Sequence, residues 1–268
     1  MPITFDGRFS TNNAFITGYG VQANGIDSTA FNYSKGIPGR MELVPDPLGS
    51  GVLVCRHTLY DTDAVAAAGQ RAEYYYQPSS APGTTLWYWW STLILQWQGD
   101  RNFCIFQQHD TPDGSDLSKT PTMLGYLTAD GWYIQNNSSD VNALTTPAKL
   151  AADRDMLRLR FPLGRWNDFV MKVTWSATNG VGTVDMWMNR RRLLVERGKI
   201  NSYNDVVGPH IKQGIYDYYH TGAFGTRQSF SKGVVVGDTF ASFDAFMAAM
   251  GSSDTELEMT AASRTAVA

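Results

Sequence analysis

Between about residue 41 and residue 240 the chain is a succession of short runs of β-branched and aromatic residues, each closed by Gly, Pro, Asn or Asp. The runs fall at 51–57, 71–77, 85–96, 102–109, 121–127, 131–135, 156–161, 167–176, 182–189, 210–219 and 232–238. Turn chemistry at that spacing restricts such a chain to an all-β sandwich or barrel. Helical periodicity is nearly absent before 241–250. The clearest run, 167–176, puts Phe169, Met171, Val173 and Trp175 on one face and Asp168, Val170, Lys172 and Thr174 on the other, the pattern of a half-buried strand. Gly180, Val181 and Gly182 then turn it back into a hairpin partner over 183–189.

Composition bounds the rest. Hydrophobic residues make up 43% of the 268, enough for a large core. A single domain over 41–250 is expected, with an irregular lead-in over 1–40 holding at most one edge strand and a small, polar tail over 251–268. A net charge of -3 gives no reason to expect a nucleic-acid partner, although a local basic cluster can still bind a polyanion. No apolar run of membrane-spanning length occurs, so no membrane partner is expected. Residues 1–6 do not read as a signal peptide, having neither a basic start nor an apolar stretch. The two cysteines, Cys55 and Cys104, are too few for a disulfide framework, and strand phasing places Cys104 towards the core with Cys55 unpaired to it.

Three runs carry polar residues where packing would favour apolar ones. A period of two puts Gln107 and His109 on one face of 102–109, and Arg71, Glu73 and Tyr75 on one face of 71–77. In 210–219 it aligns Lys212, Gly214, Tyr216 and Tyr218, with Gly214 opening a gap where something can approach the backbone. One polar strand face is ordinary in an antiparallel sheet. Three of them together read as the floor of a groove.

The order Arg71-Ala72-Glu73, then Gln107-x-His109, then Lys212-x-Gly214-x-Tyr216 resembles the jelly-roll polysaccharide lyases, the alginate, glucuronan and heparin-type enzymes, and most of all the heparin-lyase-I-like group. Val44-Pro45-Asp46-Pro47-Leu48-Gly49, Gly164-Arg165-Trp166-Asn167-Asp168 and Val234-Val235-Val236-Gly237-Asp238 extend the likeness over about 40–240. The resemblance implies a concanavalin-like jelly roll of two antiparallel sheets with a concave groove, an anionic polysaccharide as partner, and β-elimination next to a uronate carboxylate. In that chemistry Gln107, helped by Arg71, would neutralise the carboxylate as charge builds on it. His109 would be the base or a second carboxylate partner. Tyr216 would protonate the departing O4, and would also act as base where both protons lie on one side of the sugar. Lys212, Tyr75 and Tyr218 would line the substrate path, and His57 and Arg56 are further candidates to touch it. Glu73 suits an ion pair with Arg71 that holds the sheet.

Other features stay open at this level. Trp87, Tyr88, Trp89 and Trp90 offer either sugar-stacking rings or core. Arg190, Arg191 and Arg192 suit a polyanion clamp or a solvated turn. The loop 110–116 resembles a calcium loop without the closing Glu of an EF-hand, and no other cofactor is implied. Gln108 and Gln213 depart from the family pattern and are expected to reshape the groove. A secreted or virion-associated protein fits the resemblance. Against the lyase reading stands a non-catalytic carbohydrate-binding or virion structural module on the same fold, oligomeric or assembled into a particle.

Overall fold

The computed structural model describes residues 5–9, 20–23, 26–28 and 39–238, except for 64, 66–68, 79–80, 97–101, 115, 117–119, 129–130, 142–151 and 219–223 within the last stretch. The helix expected over 241–250, the tail over 251–268 and most of the lead-in lie outside these residues. The described residues form strands and loops with no α-helix.

Two antiparallel sheets make the fold. The first runs β14 (Arg191–Lys199), β13 (Gly182–Met188), β12 (Trp166–Thr174), β7 (Thr85–Leu93), β16 (Thr226–Gly237), β5 (Leu53–Tyr60) and β4 (Met41–Pro45), with β1 (Phe5–Asp6) also beside β16. The second runs β11 (Ala152–Leu159), β10 (Gly131–Ser138), β9 (Met123–Thr128), β8 (Phe103–His109), β15 (His210–Asp217), β6 (Gln70–Tyr76), β2 (Gly20–Ala23) and β3 (Ile26–Ser28). Non-sequential neighbours, such as β15 between β8 and β6, are what a jelly roll requires.

Alternation along each strand builds the core between the sheets. Phe169, Met171, Val173 and Trp175 meet Trp90, Phe106 and Trp132 there, as the sequence pattern of 167–176 predicts. The β12–β13 hairpin pairs Thr174 with Thr183. The Trp87–Trp90 run belongs to β7 in the first sheet, where Tyr88 and Trp90 enter the core and Trp87 and Trp89 take the opposite face; all four are buried. They are not sugar-stacking rings on the polar face of the second sheet. The lead-in contributes three short strands rather than one. Arg191 and Arg192 are not a turn but open β14, an edge strand; the turn before it, Asn189 and Arg190, has positive φ.

The cysteines correct the expected phasing. Both are free and buried, but Cys55 enters the core while Cys104 takes the other face of its sheet. The cause is a β-bulge: β8 slips register against β9 between Cys104 and Phe106, so Ile105 and Phe106 both turn inward and the alternation restarts. Burial pushes both thiols well above their usual pKa. Neither should react with a thiol reagent in the folded protein, and both should react on unfolding; rapid labelling of Cys104 in buffer would contradict its burial.

Candidate active site

The face of the second sheet that points away from the core carries the polar residues. Register places Arg71 on β6 beside Tyr216 on β15, Tyr216 beside Cys104 on β8, and Lys212 between Tyr75 and Gln107. One residue pair along, His210 lies opposite His109. Neighbouring strands stand about 4.8 Å apart and successive residues rise about 3.3 Å, so these groups share one face that spans about 10 Å across the three strands and about 20 Å along them. Arg71, Glu73, Gln107, His109, Lys212, Tyr75 and Tyr216 are thus brought together, with Tyr218 beside Tyr216 at a ring separation of 6.0 Å. The floor is recessed: Gln107 is 1% exposed and Lys212 3% exposed, whereas His109 and Tyr216 reach the surface in part.

The hydrogen bonds fix how each group presents itself. The Gln107 amide nitrogen donates to Glu73 Oε1 at 2.5 Å. A carboxylate only accepts, so the Gln107 NH2 is locked towards Glu73 and keeps a second N–H. Glu73 therefore orients Gln107, a contact that sequence reasoning, pairing Glu73 with Arg71, did not find. His109 Nδ1 donates to the carbonyl oxygen of Asp110 at 2.9 Å, with Asp110 Oδ1 at 3.1 Å. A carbonyl cannot donate, so Nδ1 carries a proton, and in the neutral ring Nε2 is then the acceptor that a general base needs. The Arg71 guanidinium lies 4.2 Å from the Tyr216 ring centroid. Burial raises the Tyr216 phenol above its usual pKa, and Arg71 draws it back in part. The phenol is protonated at neutral pH with a cation beside it to steady a transient phenolate.

Other expected site residues lie elsewhere. His57 points from β5 into the sandwich, 0% exposed, with Nδ1 at 3.0 Å from the Ala72 carbonyl and Nε2 at 2.8 Å from Ser231 Oγ. Arg56, on the opposite face of β5, pairs with Glu42 outside the first sheet. Both fall on the wrong sheet for the polar patch. Gln213 bonds Tyr74, Ser91 and Thr92 between the sheets, and Gln108, opposite the core residue Ile211, is fully buried, so neither shapes the patch. The gap at Gly214 is filled from within the protein: a Cβ there would meet the Ala72 carbonyl at 2.1 Å and His57 Nδ1 at 2.8 Å. In the calcium-like loop Asp113 and Asp116 meet Asp205 with ligand atoms within 4.8 Å of one another, while Asp110 turns to His109 and Asp113 accepts the Val206 N–H.

Burial holds His57 at a pKa of about 4, against an ordinary 6.5. Because the folded pKa is depressed, the unfolded chain binds the proton first. Stability is intact above about pH 6.5 and is lost as pH falls towards 4, by about 3 kcal/mol at about 1.4 kcal/mol per unit. Denaturant midpoints measured from pH 7 to pH 4 should fall, and His57→Gln should flatten that dependence; an unchanged slope in the variant would remove His57 as the cause.

The family profile for polysaccharide lyases matches residues 11–234. The chain belongs to the polysaccharide lyase family. Among solved structures this lyase-family chain is similar to the endo-β-1,4-glucuronan lyase from the fungus Trichoderma reesei, with a TM-score of 0.65 at 17% identity over 84% of this chain and 96% of that one. An alginate lyase from Pseudomonas aeruginosa gives 0.58 at 14% identity, covering 83% and 99%. The alginate lyase from Corynebacterium sp. gives 0.57 at 11%, covering 89% and 100%. Likeness at such identity establishes the jelly-roll fold. The comparison with curated proteins finds no match.

Proposed function

We propose that this lyase-family chain cleaves a uronic-acid polymer by β-elimination on the outer face of its second sheet. The observation that carries this is the register of β6, β15 and β8, which groups a cation, an oriented amide, an imidazole held through its Nδ1 and a protonated phenol on one face. Elimination breaks the C5–H and C4–O4 bonds and forms a C4–C5 double bond. Arg71 and the free N–H of Gln107 bond the carboxylate and stabilise the charge that develops as C5 loses its proton. His109 Nε2 takes that proton where it lies on the imidazole side, and Tyr216 gives its proton to O4. Where both sites face Tyr216, its phenolate form, steadied by Arg71, takes the C5 proton and returns it to O4.

The patch continues across the sheet. From Cys104 the row runs to Tyr126 on β9, Tyr133 on β10 and Arg158 on β11. The two tyrosine rings stack at 5.3 Å, and Arg158 covers Tyr133 at 4.5 Å. Such a row suits an anionic chain laid across the strands, and supports endo-acting cleavage. The test is ultraviolet absorbance of the unsaturated product on glucuronan, alginate, heparin and hyaluronan. A rise is expected on at least one polymer. No rise on any of them would replace the catalytic reading with a binding module.

A further inference from the structure

His210 was not among the residues that the sequence pattern singles out, yet its ring stacks on His109 at 5.2 Å and lies 5.5 Å from Tyr75. It heads β15 on the same face as Lys212 and Tyr216. Its tautomer follows from a chain of bonds. The Gln77 amide nitrogen donates to the carbonyls of Pro78 and Gly208 at 3.1 and 3.0 Å, which turns Oε1 the other way. Thr111 spends its single hydroxyl hydrogen on that Oε1, at 3.0 Å. The remaining contact, between Thr111 Oγ1 and His210 Nδ1 at 3.4 Å, can then form only with Nδ1 as donor. Nε2 is left with a lone pair, and no described residue bonds it.

We infer that His210 is a substrate-binding residue whose bare Nε2 accepts a hydrogen bond from a free hydroxyl of the uronate chain beside the sugar being cleaved. This rests on the lyase reading and deepens it: the site selects polymer that is unsubstituted at that hydroxyl, because an acetyl or sulfate group there has no proton to give. His210 differs in role from His109. A base must become a cation, and burial, Lys212 and His109 all hold His210 far below the usual imidazole pKa. The groups facing it are Lys212, His109, Tyr75, Thr111 and Gln77, none of them an anion that would favour protonation. It therefore accepts a hydroxyl without taking a proton.

The test uses the full chain labelled with 15N-histidine. The NMR spectrum should show His210 neutral and as the Nδ1–H tautomer from pH 5 to pH 8 (about one and a half units either side of an ordinary histidine), with its Nε2 signal shifting on addition of uronate oligosaccharide. Thr111→Val should scramble the tautomer. His210→Phe keeps a ring against His109 and should raise KM on unsubstituted polymer about tenfold, the worth of one neutral hydrogen bond, and so narrow the preference for unsubstituted over O-acetylated polymer by about the same factor. An Nε2–H tautomer, or an Nε2 signal indifferent to saturating sugar, overturns the inference even if the protein is an active lyase. A sugar-dependent Nε2 shift in a protein that turns over no polymer sinks the lyase reading and keeps His210 as a binding residue.

Discussion

Tyr216→Phe lowers turnover on the cleaved polymer by roughly 10²- to 10⁴-fold, the weight of a positioned acid–base group. The substitution removes one oxygen and keeps the ring under the Arg71 guanidinium, so the packing of β15 against β6 survives. What is lost is the phenol that stands beside Arg71 in the cross-strand register, and with it the proton for O4. Initial rates from product absorbance should fall while the thermal midpoint stays within a degree or two, a surface-scale change. A variant with near-wild-type turnover would mean that another group protonates the leaving oxygen, and the assignment of Tyr216 would be abandoned.

Arg227→Met is expected to be the most damaging single change to the fold. Arg227 on β16 and Asp217 on β15 form an ion pair across the two sheets, each 0% exposed, and Phe103 and Phe224 flank the guanidinium at 5.0 and 4.2 Å. Removing one partner breaks a buried ion pair and takes from the other the opposite charge it faces, which costs about 3–5 kcal/mol. The double variant Arg227→Met/Asp217→Leu should recover most of that loss, since neither charge then stays buried. Urea unfolding of the three proteins measures this directly. Additive losses in the double variant would show that the pair is not coupled. Asp217 follows Tyr216 on the opposite face of the same strand, so the bond that joins the sheets is anchored one residue from the phenol.

The polar face was legible because a strand has a period of two, and that period depends on no partner. Arg71 and Glu73, Gln107 and His109, and Lys212 and Tyr216 could each be aligned within a single run. What lies across strands was not. His210 becomes notable only once β15 is set against β8, and the bond from Gln107 to Glu73 only once β6 and β8 flank β15. His57 and Arg56 looked like site residues because a sequence does not say which sheet a strand joins; β5 joins the first. Cys104 was phased inward because the bulge before Phe106 has no signal in Phe103-Cys104-Ile105-Phe106, where every residue suits a core. β14 hid behind three consecutive arginines, since an edge strand with mostly half-exposed residues shows no clear alternation.

The ring of His57, wedged beneath Gly214 and bonded to Ala72, props from below the two strands that carry Arg71, Glu73 and Tyr216. The acid limb of a pH–rate profile on this protein will therefore be composite. One component is the titration of groups that meet substrate, which reverses at once when the buffer is restored. The other is the collapse of their support, which follows refolding and appears in near-ultraviolet dichroism as well as in rate. An apparent pKa read from that limb belongs to a catalytic group only after the second component has been removed, and His57→Gln is the variant that removes it.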